Sequence, residues 1–244
     1  MVPAVHCLLL DRAIFPAVIS APASATPHAV TRRVYTQLTP LNRLIAGFKA
    51  NSGSDNKHMS KEIDNNIDRI LGWAKVNAPQ TVANLNKPAS KADLEAVKAE
   101  FKMPLADGFS RLWSRFDGDG VGTWLAILGN GNQLLSCKEL VEHYRLDQEI
   151  GKSLYDPAMH KVAFWKDRIS DHVIFVKGAV KPLMLHPKWL PFTSKNGVVI
   201  RYFDFDPAPG GVEGQIIEVD AEGCSYQVLA DSLNAFLAAY ADDL

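Results

Sequence analysis

The sequence predicts an α+β domain in which a mostly antiparallel central sheet is flanked by helices. Three observations predict it. Segments of helical period crowd between Ser60 and Phe116, strand signals crowd between Trp189 and Val219, and helices alternate with hairpin patterns rather than with regular βαβ units.

The helical elements come first. From Ser60, placed as an N-cap, Ile63, Ile67, Ile70 and Leu71 fall on one face, and Gly72 and Pro79 limit the helix. Ser90-Lys91-Ala92-Asp93 resembles a capping box that starts a second helix with Leu94, Val97 and Phe101 inward, broken at Met103-Pro104. A third helix, Leu105 to Phe116, stacks Leu105, Phe109, Leu112, Trp113 and Phe116 on a buried stripe and stops at Asp117-Gly118-Asp119-Gly120. Trp124–Leu128 and Gln133–Leu135, separated by Gly129-Asn130-Gly131-Asn132, read as a hairpin. Ser136-Cys137-Lys138-Glu139 caps a fourth helix that runs to about Ile150.

Beyond it, Val162–Trp165 and Val173–Val176 read as short strands. The clearest unit follows. Ser194-Lys195-Asn196-Gly197 is a turn signal, Val198 to Phe203 is rich in β-branched and aromatic residues, and Asp204-Phe205-Asp206-Pro207 ends that strand. Ala208–Val212 supplies a glycine-rich loop, and Gly214–Val219 returns as the paired strand. Cys224–Leu229 is a further strand, and Asp231 caps a last helix with Leu233, Phe236, Leu237, Tyr240 and Leu244 on one face.

Composition narrows the function classes. The chain has 244 residues, 47% of them hydrophobic, enough for one sizeable domain and a tail. Met1–His58 is rich in Ala, Pro, Ser and Thr and reads as a disordered extension or an over-extended reading frame, with the folded domain over 59–244. Signal and transit peptides fit it less well, because no basic stretch precedes the apolar runs and Asp11-Arg12 splits them. Cys7, Cys137 and Cys224 are too few and too scattered for a disulfide framework, which fits a reducing, cytoplasmic setting. No run of apolar residues is long enough to predict a membrane span. A net charge of −1 carries no nucleic-acid signature, but Arg201–Leu244 holds nine acids against one base.

Chemistry-bearing motifs are scarce. Asp204-x-Asp206 offers two carboxylates that a divalent-metal-dependent enzyme could use, but one pair is too few ligands without a third or a base, and the favoured structural reading is that the acids tie down the hairpin loop. The seven histidines lack metal-ligand spacing, no nucleophile elbow is present, and Gly118-Asp119-Gly120 follows a helix instead of opening one, unlike a phosphate loop. No catalytic, metal or cofactor set is expected. The acidic excess suggests a docking surface of Asp117, Asp119, Asp204, Asp206, Glu213 and Glu218 that attracts a cationic partner.

Four ordered segments resemble the SUKH superfamily, which includes a fungal cell-wall-assembly regulator and many bacterial toxin-immunity proteins. They are Glu100–Leu105 with Pro104, leading to Phe116-Asp117-Gly118; Leu134-Leu135-Ser136; Trp189-Leu190-Pro191-Phe192 to Gly197 with Asp204-Phe205-Asp206-Pro207 to Gly214-Gln215; and Leu229–Leu233 with Phe236-Leu237. The resemblance implies an α+β fold and assigns Pro104, Gly118, Trp189, Pro191, Gly197, Asp204, Asp206, Pro207, Gly214 and Gln215 to structural roles. It also implies a non-enzymatic protein that binds and neutralises a cationic toxin domain, such as a nuclease, or alternatively a scaffold or regulator of cell-wall assembly. Neither role involves nucleic acid or membrane as a partner.

Overall fold

The computed structural model describes residues 55–105, 107–120, 126–154, 175–223 and 225–244. Its elements are α1 (Asp55–Asn77), α2 (Pro79–Ala83), α3 (Lys91–Phe101), α4 (Asp107–Trp113), β1 (Gln133–Leu134), α5 (Cys137–Leu154), β2 (Phe175–Lys177), β3 (Trp189–Lys195), β4 (Val199–Asp204), β5 (Gln215–Asp220), β6 (Ser225–Ala230) and α6 (Leu233–Asp242). The strands form one sheet in the order β1-β3-β4-β5-β6-β2. Every pairing is antiparallel except β2 with β6. The architecture is the α+β one that the sequence predicts.

Both faces of the central strands are covered, and the two-residue period of a strand sorts side chains between them. Phe203 of β4 and Ile216 of β5 join a large core with Phe109, Trp113, Leu140, Phe192 and Leu237. Their chain neighbours Tyr202 and Ile217 join a smaller core with Val180, Trp189, Val219 and Tyr226. That two-sided burial explains why these strands read as near-continuous apolar runs.

Local chemistry sets most element boundaries. Ser90 accepts from the Asp93 amide while the Asp93 carboxylate accepts from the Ser90 amide, the reciprocal cap predicted for α3. Ser136 and Glu139 make the same exchange at the start of α5. The turn into β4 holds Asn196 and Gly197 at φ of 55° and 72°, the left-handed values that this residue pair tolerates.

The structure corrects several sequence expectations. Ser60 lies inside α1 and is not its cap. Within the described residues the helix runs from Asp55, passes through Gly72 and ends just before Ala78-Pro79. The third helix is shorter than its apolar stripe, Asp107–Trp113, although Phe109, Leu112, Trp113 and Phe116 are all buried. The expected hairpin is absent at its described end: Ala126–Leu128 is not a strand, and Gln133–Leu134 pairs instead with Thr193–Ser194 of β3. Ser232 caps α6, because its hydroxyl accepts from the Ala235 amide, and Asp231 precedes it. The strand β3 opens the stretch in which strand signals crowd, although it contains Pro191. The proline adjoins a β-bulge in the β3–β4 register, where a missing N–H is tolerated. Val162–Trp165, Trp124, Cys224 and residues 1–54 lie outside the described residues.

Candidate functional site

Strand register assembles a polar hub at one end of the sheet. Trp189 is the register partner of Asp204 in β4, and Asp204 is in turn the partner of Gln215 in β5. All three side chains are buried, Asp204 completely. The Trp189 indole N–H and the Asp206 amide each donate to Asp204 Oδ1 at 3.0 Å, and Gln215 Nε2 donates to Oδ2 at 2.9 Å. Gln215 Nε2 also reaches the Ala179 carbonyl at 2.9 Å, and its Oε1 accepts from the Val212 amide at 3.3 Å. Burial raises the Asp204 carboxyl above the ordinary range, and these donations oppose the rise. The hub therefore ties the loop 205–214 to both strands, the structural role expected for the Asp-x-Asp pair.

Asp206 points elsewhere. Lys181 Nζ lies 2.6 Å from its Oδ2 and His186 Nε2 lies 3.1 Å from it, and the Lys181 contact holds the Asp206 carboxyl below its usual range. His186 accepts from the Lys188 amide through Nδ1 at 3.1 Å. Both ring nitrogens are thus engaged, burial lowers the imidazole's pKa, and no lone pair remains for a base.

The other acids of the expected docking surface are dispersed. Asp119 is 2% exposed and accepts from the Leu134 amide at 2.7 Å and the Ile127 amide at 3.3 Å, while burial lifts its carboxyl to about 6. Asp117 Oδ1 accepts from the Cys137 amide at the start of α5. Between them Gly118 has φ of 78°, and a Cβ there would lie 2.5 Å from the Ser136 amide nitrogen, so the family-like glycine is required by close approach. Glu218 is paired with Arg201 at 3.0 Å. Glu213 alone of the named acids is exposed. Asp119 and Asp204 are correspondingly corrected from surface to interior, because backbone and side-chain donors inside the fold have claimed their carboxylates.

Beside the hub, α5 and the segment before β3 enclose a cavity of about 200 Å³. Asp147, Gly151 and Lys152 line it from α5, and Leu185, His186 and Pro187 line it from the segment. Asp147 is 9% exposed and accepts from the Tyr202 hydroxyl at 3.2 Å. Burial lifts its carboxyl to about 7, and the Tyr202 donation only partly opposes that. Sequence reasoning missed this residue. The available signal was its position: Leu140, Tyr144 and Asp147 follow the inward stripe of α5, and a charge on such a stripe is unusual. Among the described residues, no group of three or more His, Cys, Asp or Glu could hold a metal ion, and no helix is long and apolar enough to cross a membrane.

Comparison with known proteins gives a consistent set of likenesses. The sequence pattern of the SMI1 / KNR4 family (SUKH-1) matches residues 88–239. The chain is 26% identical over 215 residues to the cell wall biosynthesis/cell cycle regulator smi1 of Schizosaccharomyces pombe, covering 82% of this chain and 42% of that protein. It is 23% identical over 194 residues to the cell wall assembly regulator SMI1 of Saccharomyces cerevisiae, covering 70% and 38% respectively. It is 24% identical over 198 residues to a glucan synthesis regulatory protein of Neurospora crassa, covering 72% and 37%. The chain thus spans about two fifths of the length of the curated relatives it matches.

Proposed function

Since the chain belongs to the SMI1 / KNR4 family (SUKH-1), we propose that it is a non-catalytic, protein-binding regulatory domain of cell-wall assembly, acting in the cytoplasm. The observation that carries this reading is the run of relatives named as regulators, each aligned over at least 70% of this chain. The geometry supports the non-catalytic part. The Asp-x-Asp motif, which an enzyme would present to a substrate, is consumed by internal donors at Asp204 and by Lys181 and His186 at Asp206.

The toxin-neutralising reading depends on an acidic face of the whole set, and with Asp119 and Asp204 inside the fold that face loses two of its members. The regulatory reading needs no such face. Deleting the gene in its own host tests the choice. The expected outcome is increased sensitivity to a chitin-binding dye and altered β-glucan content, both restored by the full chain. A normal wall, with the deletion strain killed by a toxin encoded beside the gene, would transfer the protein to the immunity branch.

A further inference from the structure

We propose that the cavity between α5 and the Leu185–Pro187 segment is a receptor for a cationic head group, an alkylguanidinium or alkylammonium, with Asp147 as the anchoring carboxylate. The first support is an incomplete hydrogen-bond inventory. Tyr202 donates to Asp147 Oδ2, and no other partner reaches this carboxyl among the described residues. Among the described residues the sealed polar side-chain atoms without a partner are Asn132 Oδ1 and Thr193 Oγ1. Asp147 lines the cavity, and its Oδ1 accepts no hydrogen bond among the described residues. A carboxylate can only accept, so the missing group is a donor.

Charge selects among donors. Lys181 is committed to Asp206, the His186 ring is kept neutral by burial, and Lys152 is exposed and makes no ion pair with Asp147. Tyr202 from β4 donates to the carboxyl, Gln148 and Lys152 from its own helix and His186 from the segment line the same cavity, and among the described residues no cation is ion-paired with Asp147. A ligand cation would supply the one interaction that a buried carboxylate most lacks. Size agrees: about 200 Å³ holds roughly six or seven water volumes of ~30 Å³, room for a head group on a four-carbon stem. Leu185 and Pro187 provide apolar wall for that stem. The inference stands apart from the wall-assembly reading, because the cavity takes cations or does not whatever the domain regulates.

Calorimetry on the full chain at pH 8 tests it, with butylguanidinium, n-butylammonium, n-butanol and butyrate as probes. The two cations are expected to bind at least tenfold more tightly than butanol, and butyrate not at all. Binding should weaken as pH falls from 8 to 6, since a proton then competes for Asp147. Asp147→Asn should lower affinity for butylguanidinium at least tenfold while near-ultraviolet circular dichroism stays native. If that variant fails to fold, Gly151→Leu serves instead. A Cβ on Gly151 would lie 3.9 Å from the Leu185 Cβ, so the added side chain fits the backbone and fills the void. Loss of cation binding in the filled variant supports the site. Cation binding equal to that of butanol, or unchanged in both variants, overturns it. A single-arginine peptide separates two sources of the same chemistry: tighter binding than butylguanidinium assigns the site to a partner's side chain, and exclusion of the peptide assigns it to a free amine.

Discussion

Asp204 and Asp147 are both aspartates withdrawn from water, and the fold treats them in opposite ways. Asp204 sits where the registers of three strands meet, β3 with β4 and β4 with β5, and receives two donors on one oxygen and one on the other. Asp147 sits on a helix facing a void and receives a single hydroxyl donor. The first is an internal staple whose three donors tie β3, β5 and the start of the loop 205–214 together. The second is held near pH 7 by burial that little offsets. Burial alone therefore does not identify a functional carboxylate, and the count of donors around it separates the two cases.

The largest effect should come from removing the staple. Asp204→Ala leaves the Trp189 indole N–H and one Gln215 amide proton without their buried acceptor, which costs about 1–3 kcal/mol for each donor left unsatisfied. A urea midpoint at pH 7 measures it. A loss under about 1 kcal/mol would show that the loop is held by its backbone contacts instead.

Asp147→Asn should move stability the other way, and only at high pH. The folded carboxyl titrates near 7 against an unfolded value of 3.8. Below pH 4 both states are protonated and the group's contribution is fully present. As pH rises from 4 to 7 the unfolded state ionises first, so that contribution is lost and stays lost above 7. The amide cannot ionise. It should stabilise the protein by about 2–4 kcal/mol at pH 8 and by nothing at pH 4, read from unfolding midpoints at each pH. A variant destabilised at pH 8 would mean that Asp147 already has a charged partner in the native protein.

How far the two regions were legible in the sequence follows from how local their causes are. Capping at Ser90 and Ser136 needs only neighbours three residues apart, and the left-handed turn at Asn196-Gly197 needs only two residues, so these were readable. The hub was half readable. Asp204, Asp206, Trp189 and Gln215 stood out as a motif, but their acids looked like surface charge because sequence order does not reveal the β3–β4–β5 register that buries one of them. The pairing of Gln133–Leu134 with a strand some 60 residues later was unreadable for the same reason, and its nearby Asn-Gly turn suggested a local hairpin instead. Asp147 needed a stricter reading of helical period. Its partner Tyr202 lies 55 residues away, and only the fold brings the hydroxyl to the carboxylate.

A milder cut at the hub sharpens the contrast. Trp189→Phe removes only the indole donor to Asp204 Oδ1 and keeps an aromatic ring against Tyr202 and Tyr226. Asp204 keeps its two other donors, so the loss should be about 1–2 kcal/mol, well below that of Asp204→Ala. Equal losses from the two variants would locate the hub's stability in the packing of the indole and not in the carboxylate.

The smallest effect is expected where the acidic sequence pattern and the geometry part company. Glu213 belongs to the same charge cluster as Asp204 but lies exposed on the glycine-rich loop, and no ion pair holds it among the described residues. Reversing it, Glu213→Lys, should change stability by less than about 0.5 kcal/mol, because an exposed charge in water neither loses a hydrogen bond nor gains a strong pair. Long-range attraction of a cationic partner, by contrast, depends on such exposed charges and weakens with salt over a Debye length of about 8 Å. The variant thus isolates surface field from fold. If Glu213→Lys slows association with a partner at low salt while leaving the unfolding midpoint unmoved, steering resides in the exposed acids and the buried ones serve structure alone. If it unfolds the domain as Asp204→Ala does, the division between exposed and interior acids is wrong.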